Sequence, residues 1–197
     1  MTSSVNLAFP HTWRADILAA PPLIAPARQF TYPHTIAGEE DALARGALQV
    51  LVHPESGGDF LATCALGFTH PSMPTGVWSC PDPQGLCAVA GGYAYILDTA
   101  APERSTHIPL RPVVEVLPLP EHGLLLFAGF HSVLAWSVAG LAWQSGRLSW
   151  EGLRLTGVRT GPDGSTSLTG LGWNMKTDKE VEFAIDLRTG AHTGGGF

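Results

Sequence analysis

Three cysteines, eight histidines and one run of acids are the side chains with which this chain could do metal, redox or nucleophilic chemistry. Cys80 and Cys87 flank the turn from Pro81 to Leu86, so two thiols could face each other across a hairpin, as a disulfide or half a metal site. The interval is not a zinc-knuckle spacing, and no second Cys or His pair lies nearby in the sequence. Cys64 sits inside the apolar run Phe60 to Leu66, where a small buried hydrophobe is expected. All three thiols therefore read as core, and an odd, low cysteine count fits a reducing compartment better than a disulfide scaffold.

The acids form the pattern Asp178-x-Glu180-x-Glu182-x-x-x-Asp186. On one strand face, Asp178, Glu180 and Glu182 would present oxygens to a cation. The adjoining Lys176-Thr177-Asp178-Lys179 reads instead as a solvated hairpin tip, with the acids keeping an outer strand soluble, and no metal is expected. Nucleophilic catalysis has no motif: there is no Gly-x-Ser-x-Gly, no His-Glu-x-x-His and no phosphate-cradling glycine loop. The histidines are isolated, His122 and His131 being the closest downstream pair. Neither a catalytic residue nor a cofactor is expected; were the chain to process a small ligand, Glu151 or His131 would serve as acid or base.

Composition narrows the classes further. Seventeen acids against eleven bases leave a net charge of −6 over 197 residues. The only lysines are Lys176 and Lys179 and the arginines are scattered, so no basic stripe exists to neutralise phosphates and nucleic acid is not an expected partner. The longest apolar runs, such as Leu124 to Phe130, fall far short of the ~20 residues of a membrane-spanning helix. No base precedes Arg14, and Pro21, Pro22 and Pro26 break the apolar stretch that follows, so neither a secretory signal nor a membrane partner is expected and the cytoplasm is the default. With 45% hydrophobic residues the chain buries a sizeable core; with 23 Gly and 16 Pro it is rich in turns rather than long helices.

Residues 1–46 read as an irregular arm. Phe9, Trp13, Ile17 and Leu18 would pack on the rest of the chain, Gln29 to Tyr32 would make one short strand, and Gly38 to Arg45 one short helix with Gly46 as its stop. From residue 47 to 197 the chain is a series of strand-length apolar runs: 48–52, 60–66, 77–80, 86–90, 94–97, 113–117, 124–128, 133–138, 153–158 and 181–185, each bounded by Gly, Pro or Asp. The expected fold is all-β with antiparallel hairpins.

The hairpins repeat. Pro54-Glu55-Ser56-Gly57, Pro81-Asp82-Pro83-Gln84-Gly85, Pro120-Glu121-His122-Gly123 and Pro162-Asp163-Gly164 share a proline that sets φ, an acid that caps backbone N–H groups and a glycine free to take positive φ. Gly91, Gly129 and Gly170 follow Gly85, Gly123 and Gly164 at a fixed distance, as a second turn in each unit. Tyr95-Ile96-Leu97-Asp98, Leu134-Ala135-Trp136-Ser137 and Phe183-Ala184-Ile185-Asp186 lie beyond, the last closing in Leu187-Arg188-Thr189-Gly190. The unit resembles a blade of a β-propeller of the WD-repeat or quinoprotein-like kind, over residues 47–197 and most specifically 76–146. It lacks the Gly-His and Trp-Asp dipeptides and any quinone site, so the resemblance implies topology alone: hairpin repeats stacked as a small or incomplete propeller. A β-sandwich is the alternative.

Stacked blades would gather Tyr93, His131, Trp173 and Asn174 on one rim, with His70, Arg111, Trp150 and Glu151 from the inter-blade connections. Aromatic and arginine patches of this type recognise proteins or stack on sugars; the alternative places Trp143, Trp150 and Trp173 as wedges in the core. The expectation is a non-catalytic binding protein that recognises another protein, with a neutralising or immunity-type role against a basic partner as its most specific form. A small-ligand or carbohydrate-binding or processing protein, and a structural homo-oligomer formed by self-association, are the alternatives.

Overall fold

In the computed structural model the described residues, 4–33 and 43–196, form seventeen β-strands, a short 3-10 turn at Pro120–His122 and no α-helix. Contacts divide the chain into two compact units, Met1–Val113 and Val114–Phe197.

The first unit holds two sheets. In one, β2 (Trp13–Leu18), β4 (Ala47–Pro54) and β5 (Phe60–Ala65) run antiparallel, and β3 (Arg28–Tyr32) joins β5 in parallel. In the other, β6 (Gly76–Ser79), β7 (Gly85–Ala90), β8 (Tyr93–Asp98) and β9 (Ser105–His107) form an up-and-down meander, with β1 (Ser4–Asn6) parallel to β6. Alternation decides which side chains go inward. Leu48, Val50 and Val52 of β4 are buried while their neighbours are only partly so, and they meet Phe60, Cys64, Leu86, Ala88, Tyr95 and Leu97 in one apolar cluster.

The second unit is two meanders. One runs β10 (Glu115–Leu119), β11 (Leu124–Ala128), β12 (Val133–Ser137), β13 (Gly140–Gln144); the other runs β14 (Leu153–Thr160), β15 (Thr166–Asn174), β16 (Lys179–Asp186), β17 (His192–Gly194). Leu126, Ala135, Trp143 and Leu148 pack with Leu168, Phe183 and Ile185. Among the described residues no helix is long and apolar enough to cross a membrane.

All four Pro-acid-Gly sequences are hairpin tips. They join β4 to β5, β6 to β7, β10 to β11 and β14 to β15. Gly57, Gly123 and Gly164 take φ of +95°, +61° and +79°, as those turns require.

Two expectations need correction. The N-terminal arm holds the strand expected at Gln29 to Tyr32, as β3, but it is less irregular than expected, because β1 and β2 lie in it as well; each of the three completes a sheet edge. Its strands are short and set between prolines, so they form by pairing with longer strands rather than by their own pattern. The division between the two compact units falls at Val113 and Val114, inside the region 47–197. The helix expected at Gly38 to Arg45 lies mostly outside the described residues, and Leu43–Arg45 form a turn. Finally, Gly170 is not a turn residue. It sits inside β15, where a Cβ would come 2.3 Å from Phe183 Cζ, so glycine there makes room for a ring across the strand pair.

Candidate functional site

Five of the eight residues singled out in the sequence lie in the second unit, around the segment Arg147–Glu151 that links β13 to β14. The segment lies directly on β15, because Gly172 presents no side chain to it; a Cβ at Gly172 would stand 2.2 Å from the Leu148 carbonyl oxygen. Close approach allows a set of backbone bonds. The Leu148 amide donates to the His131 carbonyl at 2.7 Å, and the Trp150 amide donates to the Trp173 carbonyl at 2.9 Å. Fully buried Ser149 sits between them: its Oγ accepts the Trp173 amide at 2.8 Å. Its carbonyl accepts His131 Nδ1–H at 3.2 Å and Arg147 Nε–H at 3.1 Å. The carbonyl has no proton to give, so His131 carries its hydrogen on Nδ1 in this bond.

The side chains on this frame face outward. Trp150 is 39% exposed and Phe130, beside His131, 40%. His131, Arg147 and Glu151 are exposed, and Trp173 and Asn174 are half-buried. The Arg147 guanidinium carbon lies 4.3 Å from the Trp150 ring centroid, a close cation–π stack. Asn174 turns inward on its own hairpin, its Oδ1 accepting the amides of Lys176 and Thr177 at 3.0 and 3.2 Å. The arrangement is an aromatic surface carrying one base, Arg147, and one acid, Glu151. Arg147, Ser149 and Phe130 carried no signal in the sequence, since a loop arginine, a loop serine and a lone phenylalanine acquire their roles only from this packing.

The other three residues lie in the first unit. Tyr93 does not project from a rim: it is 5% exposed. Its ring packs edge-on to Phe68 at 5.9 Å and against His107 at 5.3 Å, with the guanidinium groups of Arg45 and Arg111 5.9 and 6.0 Å from its centroid. Gly67 explains the burial, for a Cβ there would strike the Tyr93 ring at 2.2 Å. Arg111 is exposed above that ring, and exposed His70 bonds Ser72 Oγ at 2.7 Å in its own turn.

The remaining chemistry-bearing residues are accounted for locally. Cys64, Cys80 and Cys87 are free and buried, and burial pushes each thiol well up. Asp178 occupies the β15–β16 tip at φ 55°, Glu180 pairs with Arg154 at 3.2 Å, and Asp186 accepts the Thr189 hydroxyl at 2.7 Å. Among the described residues no group of three His, Cys, Asp or Glu could hold a metal. One polar cluster had no sequence signature: His53 of β4 lies with Nδ1 2.8 Å from Asp59 and Nε2 3.3 Å from Asp16, joining the β4–β5 turn to β2. Trp143, one of the expected wedges, is core: its Nε1–H donates to the Leu187 carbonyl at 2.8 Å.

The chain matches no protein-family model and no curated protein.

Proposed function

We propose that this is a non-catalytic binding protein that recognises another protein through the Phe130, His131, Trp150 and Trp173 surface of the second unit. One observation carries the reading: the Trp150 indole is 39% exposed although its segment is held by bonds on both sides. A large aromatic surface presented on a fixed backbone loses little entropy on binding, which is what an interface anchor needs. The Arg147 stack adds a second residue type enriched at such anchors.

The four-stranded meanders, each opening on or built around a Pro-acid-Gly hairpin, support a propeller-like reading of the repeats. The net charge of −6 supports a basic partner and with it a neutralising or immunity-type role. The three free, buried thiols support a reducing compartment such as the cytoplasm.

The test is affinity capture from native lysate with the full chain, alongside Trp150→Ala and His131→Ala baits. A protein retained by the wild type and lost from both variants supports the reading. Capture that is indifferent to both substitutions rejects this surface. Retention on immobilised glycans that depends on Trp150 would move the assignment to a carbohydrate-binding protein.

A further inference from the structure

The Arg147 guanidinium is exposed yet held from three sides. Its Nε–H donates to the Ser149 carbonyl at 3.1 Å and an Nη2–H to the Trp150 carbonyl at 3.3 Å, while its carbon stands 4.3 Å from the Trp150 ring centroid. A guanidinium carries five N–H donors in a fixed planar fork. The two bonds use the edge that Nε shares with Nη2. The end that Nη1 shares with the second Nη2 hydrogen makes no bond among the described residues. That end is built to receive a carboxylate through two parallel bonds. Among the described residues no carboxylate pairs with Arg147, although the same segment carries Glu151 and the chain has seventeen acids.

We propose that Arg147 is the carboxylate-recognising residue of this surface: an Asp or Glu side chain of the partner protein pairs with its Nη1–Nη2 end, beside the contact made by Trp150. The proposal rests on the reading of this face as a protein-binding surface and adds the chemistry that the partner must present there. A surface ion pair ordinarily gains little, because two long side chains must be ordered to form it. Here the arginine is already ordered by two backbone carbonyls and an indole, so only the partner's shorter side chain remains to be fixed.

The indole also covers one face of the guanidinium and keeps water from it, which strengthens a pair made at its edge. His131 stands beside the fork, since its Nδ1–H shares the Ser149 carbonyl with Arg147 Nε. Its Nε2 makes no bond among the described residues, so a second polar atom is available to the same ligand. A clamp for the segment would need only the two carbonyl bonds and the stack; the open end of the fork is surplus to that role. The chain's net charge of −6 agrees with this division of labour. Overall charge draws a basic partner in, and one carboxylate on that partner, set against Arg147, fixes its register.

An array of short peptides tests this, each sequence printed once with a single Glu and once with Gln in its place. It is probed with the full chain as wild type, Trp150→Ala, Arg147→Lys and, as a control elsewhere on the unit, Arg159→Gln. Peptides retained by the wild type and lost from Trp150→Ala report on this surface. These are expected to bind in the Glu form and to weaken by about tenfold or more in the Gln form. Arg147→Lys keeps the charge without the fork and is expected to show the same loss on the Glu form, whereas Arg159→Gln binds as the wild type does. The Glu–Gln comparison is made on the wild type, so it stands whatever Arg147→Lys does to thermal stability. Trp150-dependent peptides that bind equally in both forms overturn the carboxylate assignment and leave the surface itself in place. A folded Arg147→Lys that binds as tightly as the wild type also overturns it. So does an array with no Trp150-dependent retention, in which case the lysate capture still decides the surface separately.

Discussion

Ser149 Oγ accepts the amide hydrogen of Trp173 at 2.8 Å, tying the segment after β13 to the far end of β15. The bond is buried at the serine, and it sits between two backbone bonds that hold His131 and Trp150 to the same frame. Ser149→Ala would leave the Trp173 amide without its acceptor, at a cost of about 1–3 kcal/mol. Urea unfolding of the two proteins checks this; an unchanged midpoint would mean that water replaces the hydroxyl.

Trp150 and Tyr93 should respond oppositely to truncation. Trp150 is half out of the surface, so Trp150→Ala is expected to shift stability by about 1 kcal/mol or less, while partner affinity falls by about 2 kcal/mol or more. Tyr93 is 5% exposed and packed between Phe68 and His107, so Tyr93→Ala is expected to lose about 3 kcal/mol of folding stability. Parallel thermal melts separate the two cases, and equal losses would place Trp150 in the core.

Gly172→Ala is expected to destabilise the second unit by about 1–3 kcal/mol, because the new methyl would meet the Leu148 carbonyl at 2.2 Å and push the Arg147–Glu151 segment off the strand. Increased acrylamide quenching of tryptophan fluorescence would accompany the loss. Gly164→Ala meets nothing within 4 Å but sits at φ +79°, so its cost comes from backbone strain alone.

The three thiols should be silent in the folded protein. Burial raises all three, which suppresses the thiolate, and none is joined to another. Titration with a thiol reagent is expected to find none in the native state and all three after unfolding without reductant. Only one reactive thiol in the unfolded sample would reveal a disulfide.

Asp186 accepts the Thr189 hydroxyl at 2.7 Å and the Thr189 amide at 2.8 Å, and these bonds, the hydroxyl first, hold its carboxyl below the ordinary 3.8. A lowered folded value means that the turn's contribution to stability is complete above 3.8 and is lost as pH falls through the folded value. Carboxyl-detected NMR titration should place Asp186 below 3.8 in the wild type and move it up in Thr189→Val. Asp163, bonded to the Ser165 hydroxyl at 2.6 Å, follows the same sign.

The all-β class and the hairpin tips were legible because their causes are local. Proline, acid and glycine specify a turn within four or five residues, and runs such as Leu124 to Ala128 are apolar enough to demand burial wherever they pair. Strands whose cause is remote were not legible. β15 carries glycines at its inward positions, Gly170 and Gly172, which only make sense once Phe183 and Leu148 are known to lie over them. β1 and β2 form because other strands offer them an edge. The aromatic set divides on the same ground: residue type marked Tyr93, Trp150 and Trp173 alike, but Gly67 admits one ring to the core while Ser149 and Gly172 hold the segment bearing another at the surface. Chain chemistry determined which groups were available for binding; long-range packing decided which of them face solvent, because burial depends on the neighbour that the fold brings near and not on the side chain itself.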